Sequence, residues 1–223
     1  KKPFAPLAGR AVWLHSAEKF LNHASVKQVI VVIAPEDAEE FSRKFGANIA
    51  ILGVEVCLGG KERSDSVEQA LAMVKPDIDL VAIHDAARPC LAEKWIDEVF
   101  ETAERTGAAI LAVPEPATLK RVAQGKISET VSREALWQAQ TPQVFRRDVL
   151  LQAYASRAGK NSTDDSQLVE ALGHAVTVVE GSPLNLKITT RDDLKLAEQI
   201  LKVLPKPKLD GFANPFAGDD MWR

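Results

Sequence analysis

A short apolar run that ends in charged residues is the segment of this sequence best suited to chemistry. Leu80-Val81-Ala82-Ile83 predicts a buried strand, and His84-Asp85-Ala86-Ala87-Arg88-Pro89 follows it directly. A carboxylate at the carboxyl end of a buried strand lies where open α/β sheets bind ligands. The two alanines allow a ligand to approach the backbone, and the arginine offers a planar fork for phosphate or carboxylate. The segment predicts a ligand site centred on Asp85. The simpler alternative is a surface turn in which Asp85 only pairs with Arg88.

A glycine-rich turn before a helix is the second candidate site. Gly59-Gly60 is followed by Lys61-Glu62-Arg63-Ser64-Asp65-Ser66 and a helix predicted to reach Val74. Free backbone N–H groups at such a helix start bind anions, and glycine tolerates close approach of a ligand. The alternative is a plain loop in which Ser64 or Asp65 caps the helix.

Composition excludes several classes of protein. The chain has 223 residues, 46% of them hydrophobic and 26% charged, with a formal net charge of -3. This balance is ordinary for a soluble domain, and we expect no nucleic-acid partner and no membrane partner. No apolar run approaches the roughly 20 residues of a membrane helix. Cys57 and Cys90 form no close pair, and the histidines have no metal-binding spacing, so a reducing cytoplasm is the default location.

Apolar runs alternate with helical segments along most of the chain. Strands are predicted at 28–33, 54–57, 80–83, 108–113 and 176–179, and helices at 11–23, after Pro35, before Val74, and at 92–106, 147–158, 166–172 and 191–204. The helix after Pro35 is expected to end near Gly46. The alternation predicts an α/β fold with a single Rossmann-like, doubly wound, mostly parallel sheet and helices on both faces.

One stretch departs from this alternation. Residues 118–122 and 127–131 flank Ala123-Gln124-Gly125-Lys126 and predict a β-hairpin outside the main sheet, within an arm at about 114–140. An isolated hairpin is only marginally stable. We therefore expect the arm to pack on a second subunit and the protein to be a homodimer.

The two ends of the sequence differ from its body. Residues 1–204 are expected to form one folded domain, and Pro207, Gly211, Pro215 and Gly218 indicate a tail at 205–223. The sequence begins at Lys1 without an initiator Met and without a strand before the first predicted helix. We expect a truncated or mobile N-terminal stretch to account for this.

The motifs, taken in order, resemble one known family. They are Gly59-Gly60 with Arg63 and Ser66-Val67; His84-Asp85-Ala86-Ala87-Arg88-Pro89; Thr141-Pro142-Gln143-Val144-Phe145; Thr163-Asp164-Asp165; Glu180-Gly181; Asn185-Leu186-Lys187-Ile188-Thr189; and Asp193-Leu194. This set is similar to the 2-C-methyl-D-erythritol 4-phosphate cytidylyltransferases of the non-mevalonate isoprenoid pathway. The resemblance runs from Lys2 to about Leu201, which makes 1–204 a nucleotidyltransferase domain.

The resemblance implies a reaction without a protein nucleophile. The phosphate of methylerythritol phosphate attacks the α-phosphorus of CTP, and pyrophosphate leaves. Catalysis then depends on positioning two polyanions and neutralising the charge that develops. Mg²⁺ is expected as a cofactor that bridges the CTP phosphates, with no metal site built from protein residues.

The resemblance also implies roles for individual residues. Lys2 matches the lysine that stabilises charge on the reacting phosphates. Asp85 matches the carboxylate where nucleotide and sugar phosphate meet. The remaining matches are Gly60, Ser66 and Ala86 around the cytidine, Arg88 and Thr130 around the methylerythritol phosphate, and Arg147 with Lys187 as the pair that orients its phosphate. Arg146 leaves the choice of Arg147 open.

The sequence departs from the family pattern in places. In the family, a glycine-rich loop with an arginine follows the first strand. This loop does not appear in the sequence, and we expect the loop to lie outside the residues given. Lys61 stands where other members can carry an acid, and Ala11 stands where proline is common; neither departure affects the prediction.

Other functions remain as alternatives. The nearest is a cytidylyltransferase for ribitol 5-phosphate or a related sugar-alcohol phosphate. A different class is a catalytically silent nucleotide-binding protein, against which the combination of Lys2, Asp85, Arg147 and Lys187 argues. Fusion to the next cyclase of the pathway is not expected.

Overall fold

The computed structural model describes residues 1–159 and 162–205, so the predicted tail lies outside the described residues except for Pro205. The strands are β1 Pro6–Leu7, β2 Arg10–Ala11, β3 Ile30–Ile33, β4 Glu55–Leu58, β5 Leu80–Ile83, β6 Ala108–Pro114, β7 Leu119–Ala123, β8 Lys126–Val131, β9 Trp137–Arg146 and β10 Thr177–Glu180. The helices are α1 Val12–Leu21, α2 Ala38–Leu52, α3 Arg63–Leu71, α4 Glu93–Thr106, α5 Arg147–Ala155, α6 Ser166–Ala171 and α7 Arg191–Val203. Short 3₁₀ turns cover Lys2–Phe4 and Pro35–Asp37.

The main sheet is mixed, with strand order β10-β6-β9-β5. We expected mostly parallel pairing. β10 is parallel to β6, but β9 is antiparallel to both β6 and β5. The reason is the route of the chain: it enters β9 from the hairpin rather than through a crossover helix, and a parallel neighbour needs such a crossover. The α/β class is confirmed, and the sheet is more mixed than the alternation predicted.

Helices cover both faces of this sheet, as β6 shows. Ala109 and Leu111 pack on one face against α4, while Ala108 and Ile110 pack on the other face against α5 and α6. Every β6 residue from Ala108 to Val113 is buried. A strand covered on both faces has a continuous apolar sequence, which is why 108–113 was predictable.

A second, separate pair of strands lies across a cavity from the main sheet. β3 and β4 are parallel to each other, and neither is hydrogen-bonded to the main sheet within the described residues. Between β3 and β5 runs a cavity of about 1120 Å³ whose walls include Val31, Val32, Val81 and Ile83. The predicted single sheet is therefore divided into two hydrogen-bonded parts in the described chain.

The hairpin forms as predicted at 119–131. β7 and β8 pair only with each other among the described residues. Gln124 and Gly125 form the turn with φ of 51° and 76°, the positive values of a type I′ turn. Val122 and Ile127 on this hairpin are 58% and 64% exposed.

In the described chain, no helix has both the length and the apolar character needed to span a bilayer.

One helix boundary was predicted incorrectly. α2 does not end near Gly46 but continues through it to Leu52 and is capped by Gly53 at φ 65°. A left-handed residue closes the helix there, and Gly53 N–H donates to the Ile49 carbonyl at 3.0 Å. Gly46 is tolerated inside the helix because a single glycine costs only about 1 kcal/mol there.

The two glycines of α2 should respond oppositely to alanine. Gly53→Ala should lower the free energy of unfolding by about 1 kcal/mol, since alanine resists the left-handed conformation. Gly46→Ala should raise it by up to about 1 kcal/mol, because alanine favours helix and nothing lies within 4 Å of the added Cβ. Chemical denaturation of both variants measures the difference. Equal effects of the two substitutions would contradict the assignment of the cap.

Candidate active site

Asp85 lies just beyond the end of β5, among three cationic side chains. Its Oδ2 is 2.7 Å from Lys187 Nζ and 3.9 Å from Arg88 Nε. Its Oδ1 is 3.6 Å from Arg63 Nε, beyond hydrogen-bond distance. The Asp85 side chain is 17% exposed. The carboxylate is thus mostly removed from water and surrounded by positive charge.

These neighbours decide the protonation state of Asp85. Burial acts to raise its pKa, but the contact with Lys187 and the charges of Lys187 and Arg63 outweigh burial and hold the pKa below its ordinary value. The carboxylate is therefore ionised at neutral pH. An ionised, partly buried carboxylate with one oxygen free of close hydrogen bonds can accept a hydroxyl or approach a bound cation.

The turn that presents Asp85 is supported from beneath by His84. Thr141 Oγ1 accepts a hydrogen bond from Asp85 N–H at 3.0 Å and lies 3.1 Å from His84 Nδ1. His84 Nε2 is 3.0 Å from the Arg88 carbonyl oxygen. Burial is the largest effect on the His84 ring and lowers its pKa to about 4. A neutral ring that donates from Nε2 and accepts at Nδ1 satisfies both contacts.

The segment 185–188 docks on this turn and brings Lys187 to Asp85. Ile188 N–H donates to the Ala87 carbonyl at 2.8 Å, and Arg88 Nη1 donates to the Asn185 carbonyl at 2.7 Å. Asn185 is fully buried and donates from Nδ2 to the Thr141 carbonyl. Arg88 is therefore engaged mainly with Asn185, and the simple alternative of a surface Asp85–Arg88 pair does not describe this turn.

The Gly59-Gly60 turn is tightly closed by Ser66. Gly60 N–H donates to Ser66 Oγ at 3.1 Å. A Cβ on Gly59 would lie 2.7 Å from Ser66 Oγ, and one on Gly60 would lie 2.4 Å from Asp65 Cβ, so both positions require glycine. Ser66 and Ala86 both line the cavity between β3 and β5.

The expectation of free N–H groups in this turn needs correction. Glu62, rather than Ser64 or Asp65, is the N-cap of α3, and it forms a reciprocal capping box with Asp65. Gly60 N–H and Glu62 N–H are thereby bound to the side chains of Ser66 and Asp65. Side-chain oxygens already accept from these two N–H groups, so the two groups are not available to bind an anion.

Two other predicted residues lie on flanking segments. Lys2 is exposed in the first 3₁₀ turn, and the residues just after it, Ala5 and Leu7, pack in one cluster with Cys90 and Ile188. This places its segment beside the Asp85 turn and the Lys187 segment. Thr130 lies in β8, where its Oγ1 accepts from Lys120 Nζ at 2.6 Å; the hairpin is not paired with the main sheet in the described residues.

The structure does not bring Arg147 to this cluster. Arg146 pairs with Leu80 at the start of β5, and Arg147 N–H bonds the Asp79 carbonyl. Asp85 follows the other end of β5, six residues from Asp79 and thus about 20 Å away at roughly 3.3 Å per residue. The antiparallel direction of β9 causes this separation, since it returns residues 146 and 147 to the beginning of β5. Arg147 and Lys187 therefore do not meet as a pair within one chain.

Sequence reasoning assigned no role to Arg63, although it named the residue within a motif. Arg63 is the first residue of α3 and faces Asp85 from the glycine-rich turn. Its position three residues after Gly60 was the available signal.

For metals, no group of three or more His, Cys, Asp or Glu side chains is placed to hold an ion in the part of the chain that is described.

Comparison with known proteins identifies the family. The model of the 2-C-methyl-D-erythritol 4-phosphate cytidylyltransferase family matches residues 1–203. The chain belongs to this family. It is 44% identical over 211 residues to the cytidylyltransferase of Rhodopirellula baltica, covering 90% of this chain and 86% of that protein. It is 41% identical over 204 residues to that of Bacillus velezensis, covering 90% and 88%.

Solved structures agree with the family assignment. The crystal structure of 2-C-methyl-D-erythritol 4-phosphate cytidylyltransferase from Thermus thermophilus superposes with a TM-score of 0.78 at 35% identity, covering 90% of this chain and 94% of that chain. A crystal structure of 4-diphosphocytidyl-2C-methyl-D-erythritol synthase gives 0.78 at 33% identity, covering 90% and 92%. The predicted family and enzyme class, a CTP-dependent nucleotidyltransferase, are confirmed.

The buried His84 should make stability depend on pH. Its pKa falls from 6.5 in the unfolded chain to about 4 in the fold, so the unfolded state binds an extra proton between these values. The contribution of His84 to the free energy of unfolding is therefore largest above pH 6.5. It decreases as the pH falls toward 4, by up to about 1.4 kcal/mol per pH unit.

Denaturation of the wild type and of His84→Gln across this pH range tests the effect. The variant should lose the His84 contribution to the slope, whereas His174→Gln, at an exposed histidine, should keep the wild-type slope. Parallel curves for wild type and His84→Gln would contradict the neutral, buried ring.

Proposed function

We propose that this chain joins CTP to 2-C-methyl-D-erythritol 4-phosphate, giving 4-diphosphocytidyl-2-C-methyl-D-erythritol and pyrophosphate. A phosphate oxygen of the sugar forms a bond to the α-phosphorus of CTP, and the bond from that phosphorus to the bridging oxygen of pyrophosphate breaks. The observation that carries the proposal is the Lys187–Asp85 ion pair at the end of β5. Family membership supplies the reaction, and this ion pair supplies a place for it.

Positive charge is the main requirement of this reaction, because one polyanion must approach another. Lys187 is 46% exposed and Arg88 is 13% exposed, so Lys187 is accessible to a phosphate while Arg88 is fixed in the wall. We assign Lys187 to the attacking phosphate, Arg88 to the acceptor side and Lys2 to the CTP phosphates. Fixed cations stabilise charge that develops in the transition state without having to reorganise.

The nucleotide half of the site is proposed at the Gly59-Gly60 turn. Gly60, Ser66 and Ala86 surround the cytidine, and the backbone of Ala86 is anchored by Ser16 Oγ, 2.9 Å from its carbonyl oxygen. Asp85 lies between this half and the acceptor half. Its free Oδ1 can accept a hydroxyl of either substrate.

We propose that Mg²⁺ enters with CTP. Bound Mg²⁺ would neutralise phosphate charge and orient the leaving pyrophosphate. Asp85 is the carboxylate of the cluster, and its Oδ1 fits an outer contact to such an ion. One carboxylate among three cations cannot hold the ion alone, which supports binding mainly through the CTP phosphates.

Two substrates distinguish the proposal from its nearest alternative. Pyrophosphate release should occur with CTP, Mg²⁺ and methylerythritol 4-phosphate, and ribitol 5-phosphate in a separate reaction should give little, since the relatives named above are methylerythritol phosphate cytidylyltransferases. Release with ribitol 5-phosphate alone would overturn the acceptor assignment. Release with neither acceptor would favour a silent nucleotide-binding protein.

Lys187 should be required for turnover but not for folding. Lys187→Met should lower kcat/KM by about 100-fold or more, the loss expected when one charge-stabilising group is removed. Lys195→Met provides the control, because Lys195 is an 80% exposed lysine whose ion pair within the described residues is with Asp192 on α7. Both variants should unfold cooperatively: Lys195→Met should match the wild type, and Lys187→Met should have a lower Tm, because Asp85 loses its closest cation. An unchanged kcat/KM in Lys187→Met would remove this residue from the site.

We further propose a homodimer formed through the arm, with Thr130 reaching the acceptor site of the partner. The support is the apolar surface that the arm exposes: Val122, Ile127, Leu136 and Trp137 are 58%, 64%, 40% and 46% exposed. Val122 and Ile127 are directly paired on the hairpin, and exposed apolar side chains that lie together mark interaction sites. A partner subunit would cover these side chains and stabilise the hairpin.

Sedimentation of arm variants tests the dimer. The wild type should sediment as a dimer, and Val122→Glu with Ile127→Glu should shift it toward monomer and raise KM for the acceptor. Leu196→Glu changes an equally exposed leucine on α7, 53% exposed, and should leave the dimer intact. A fully active wild-type monomer would refute the arm as an interface.

We place the protein in the cytoplasm, with no nucleic-acid or membrane partner. We also propose that the two parts of the sheet belong to one doubly wound sheet. The support is that β3 and β5 face the same cavity and that β3–β4 and β6–β10 are parallel pairs.

A further inference from the structure

A fully buried carboxylate lies behind the Asp85 cluster. Asp165, 0% exposed, caps α6. Its Oδ1 accepts from Tyr154 O–H at 2.5 Å and its Oδ2 from Arg63 Nη2 at 2.7 Å, while its N–H donates to Gln143 Oε1 at 3.0 Å. Burying a charge is expensive unless it is paired and hydrogen-bonded. Asp165 meets that condition, so it is a fixed anchor in the interior.

Arg63 connects this anchor to Asp85. The same guanidinium that binds Asp165 through Nη2 places Nε 3.6 Å from Asp85 Oδ1. Because the guanidinium is planar and rigid, fixing one edge on Asp165 also fixes the direction of Nε. The contact joins residues 102 positions apart in sequence.

One donor of Arg63 has no partner in the part of the chain that the structure describes. Its Nη1 is buried and makes no hydrogen bond within the described residues. A buried, unsatisfied donor on a side chain with two carboxylate neighbours indicates that its orientation is imposed by those carboxylates. Burial tends to lower the pKa of Arg63, but the charges of Asp165 and Asp85 raise it above its ordinary value, so Arg63 keeps its charge.

We infer that Arg63 is a positioning residue that orients the Asp85 carboxylate by its charge from the Oδ1 side, without a hydrogen bond, and takes its own orientation from Asp165. Lys187 holds the opposite oxygen, and Arg88 and His84 face Asp85 from its own turn. This rests on the proposed function, in which Asp85 meets the substrates. A chain of contacts thus links the start of α6 to the reacting groups.

A second arginine provides a matched control. Arg157 Nη2 bonds Asp65 Oδ1 at 2.7 Å and Glu68 Oε2 at 2.5 Å, and so ties the end of α5 to the same helix α3. It is not among the residues that contact Asp85 in the described chain. Removing either arginine deletes a link to α3, but only Arg63 is expected to affect Asp85.

Titration of the Asp85 carboxyl by ¹³C NMR, in the full chain without substrates, tests the inference directly. The pKa of Asp85 should rise in Arg63→Gln, rise less in Arg63→Lys, which keeps the charge, and stay at the wild-type value in Arg157→Gln. Arg63→Lys decides the question where Arg63→Gln does not fold. An Asp85 pKa equal to that of wild type in the Arg63 variant that folds would overturn the inference.

Turnover then tests the coupling to Asp165. Asp165→Asn should lower kcat by about tenfold or more, since small misplacement of a reacting group has large kinetic effects, with little change in KM for CTP. The same substitution made in Arg63→Gln should have no further effect, because Asp165 acts through Arg63. Additive losses would show that Asp165 only stabilises the fold. If the wild type is inactive on CTP and methylerythritol 4-phosphate, the proposed function is rejected. The NMR titration uses no substrate, so it still tests the role of Arg63.

Discussion

The structure of the site depends on keeping one mostly buried carboxylate ionised. Asp85 is removed from water, and burial alone would favour its protonated form. Lys187 at 2.7 Å and Arg63 at 3.6 Å on opposite oxygens reverse that preference. A carboxylate between two cations has its orientation as well as its charge fixed. Each element around the site positions either Asp85 or one of these two cations.

Three parts of the chain, far apart in sequence, converge to make this arrangement. β5 ends at Ile83, and the turn that follows it faces the cavity. α3 begins with Arg63. The 185–188 segment packs on the turn through hydrogen bonds to the carbonyl oxygens of Ala87 and Asn185. The antiparallel β9 provides the common support, because Thr141 contacts His84, Asp85 and Asn185. The arrangement of the site therefore depends on the antiparallel pairing of β9 within the mixed sheet.

Local signals in the sequence predicted much of this. The apolar run of β5, the turn at Gln124-Gly125, the end of α4 at Thr106 and the start of α7 at Arg191 all appear where predicted. Each of these features is decided by residues within a few positions of one another. The Asp85 turn was predicted from its own residues, a carboxylate at the end of an apolar run, whereas Lys187 was assigned because the motifs, taken together, resemble the family.

What could not be predicted depends on long-range pairing. The direction of β9 follows from the hairpin return, and it separates Arg147 from Asp85 although both follow apolar runs. The Asp165–Arg63 contact spans 102 positions, and no local pattern announces it. Gly46 failed as a helix end because its neighbours continue the helix past it to the positive φ at Gly53. Glycine alone does not distinguish an interior position from a cap.

A crystal structure of the chain with CTP and an unreactive analogue of methylerythritol phosphate would test the central claim most directly. The α-phosphate and the sugar phosphate should lie at the Asp85 end of the β3–β5 cavity, between Lys187 and the Gly59-Gly60 turn. Phosphates bound instead at the opposite end, beside Arg146 and Arg147, would show that the Asp85 cluster only stabilises the fold.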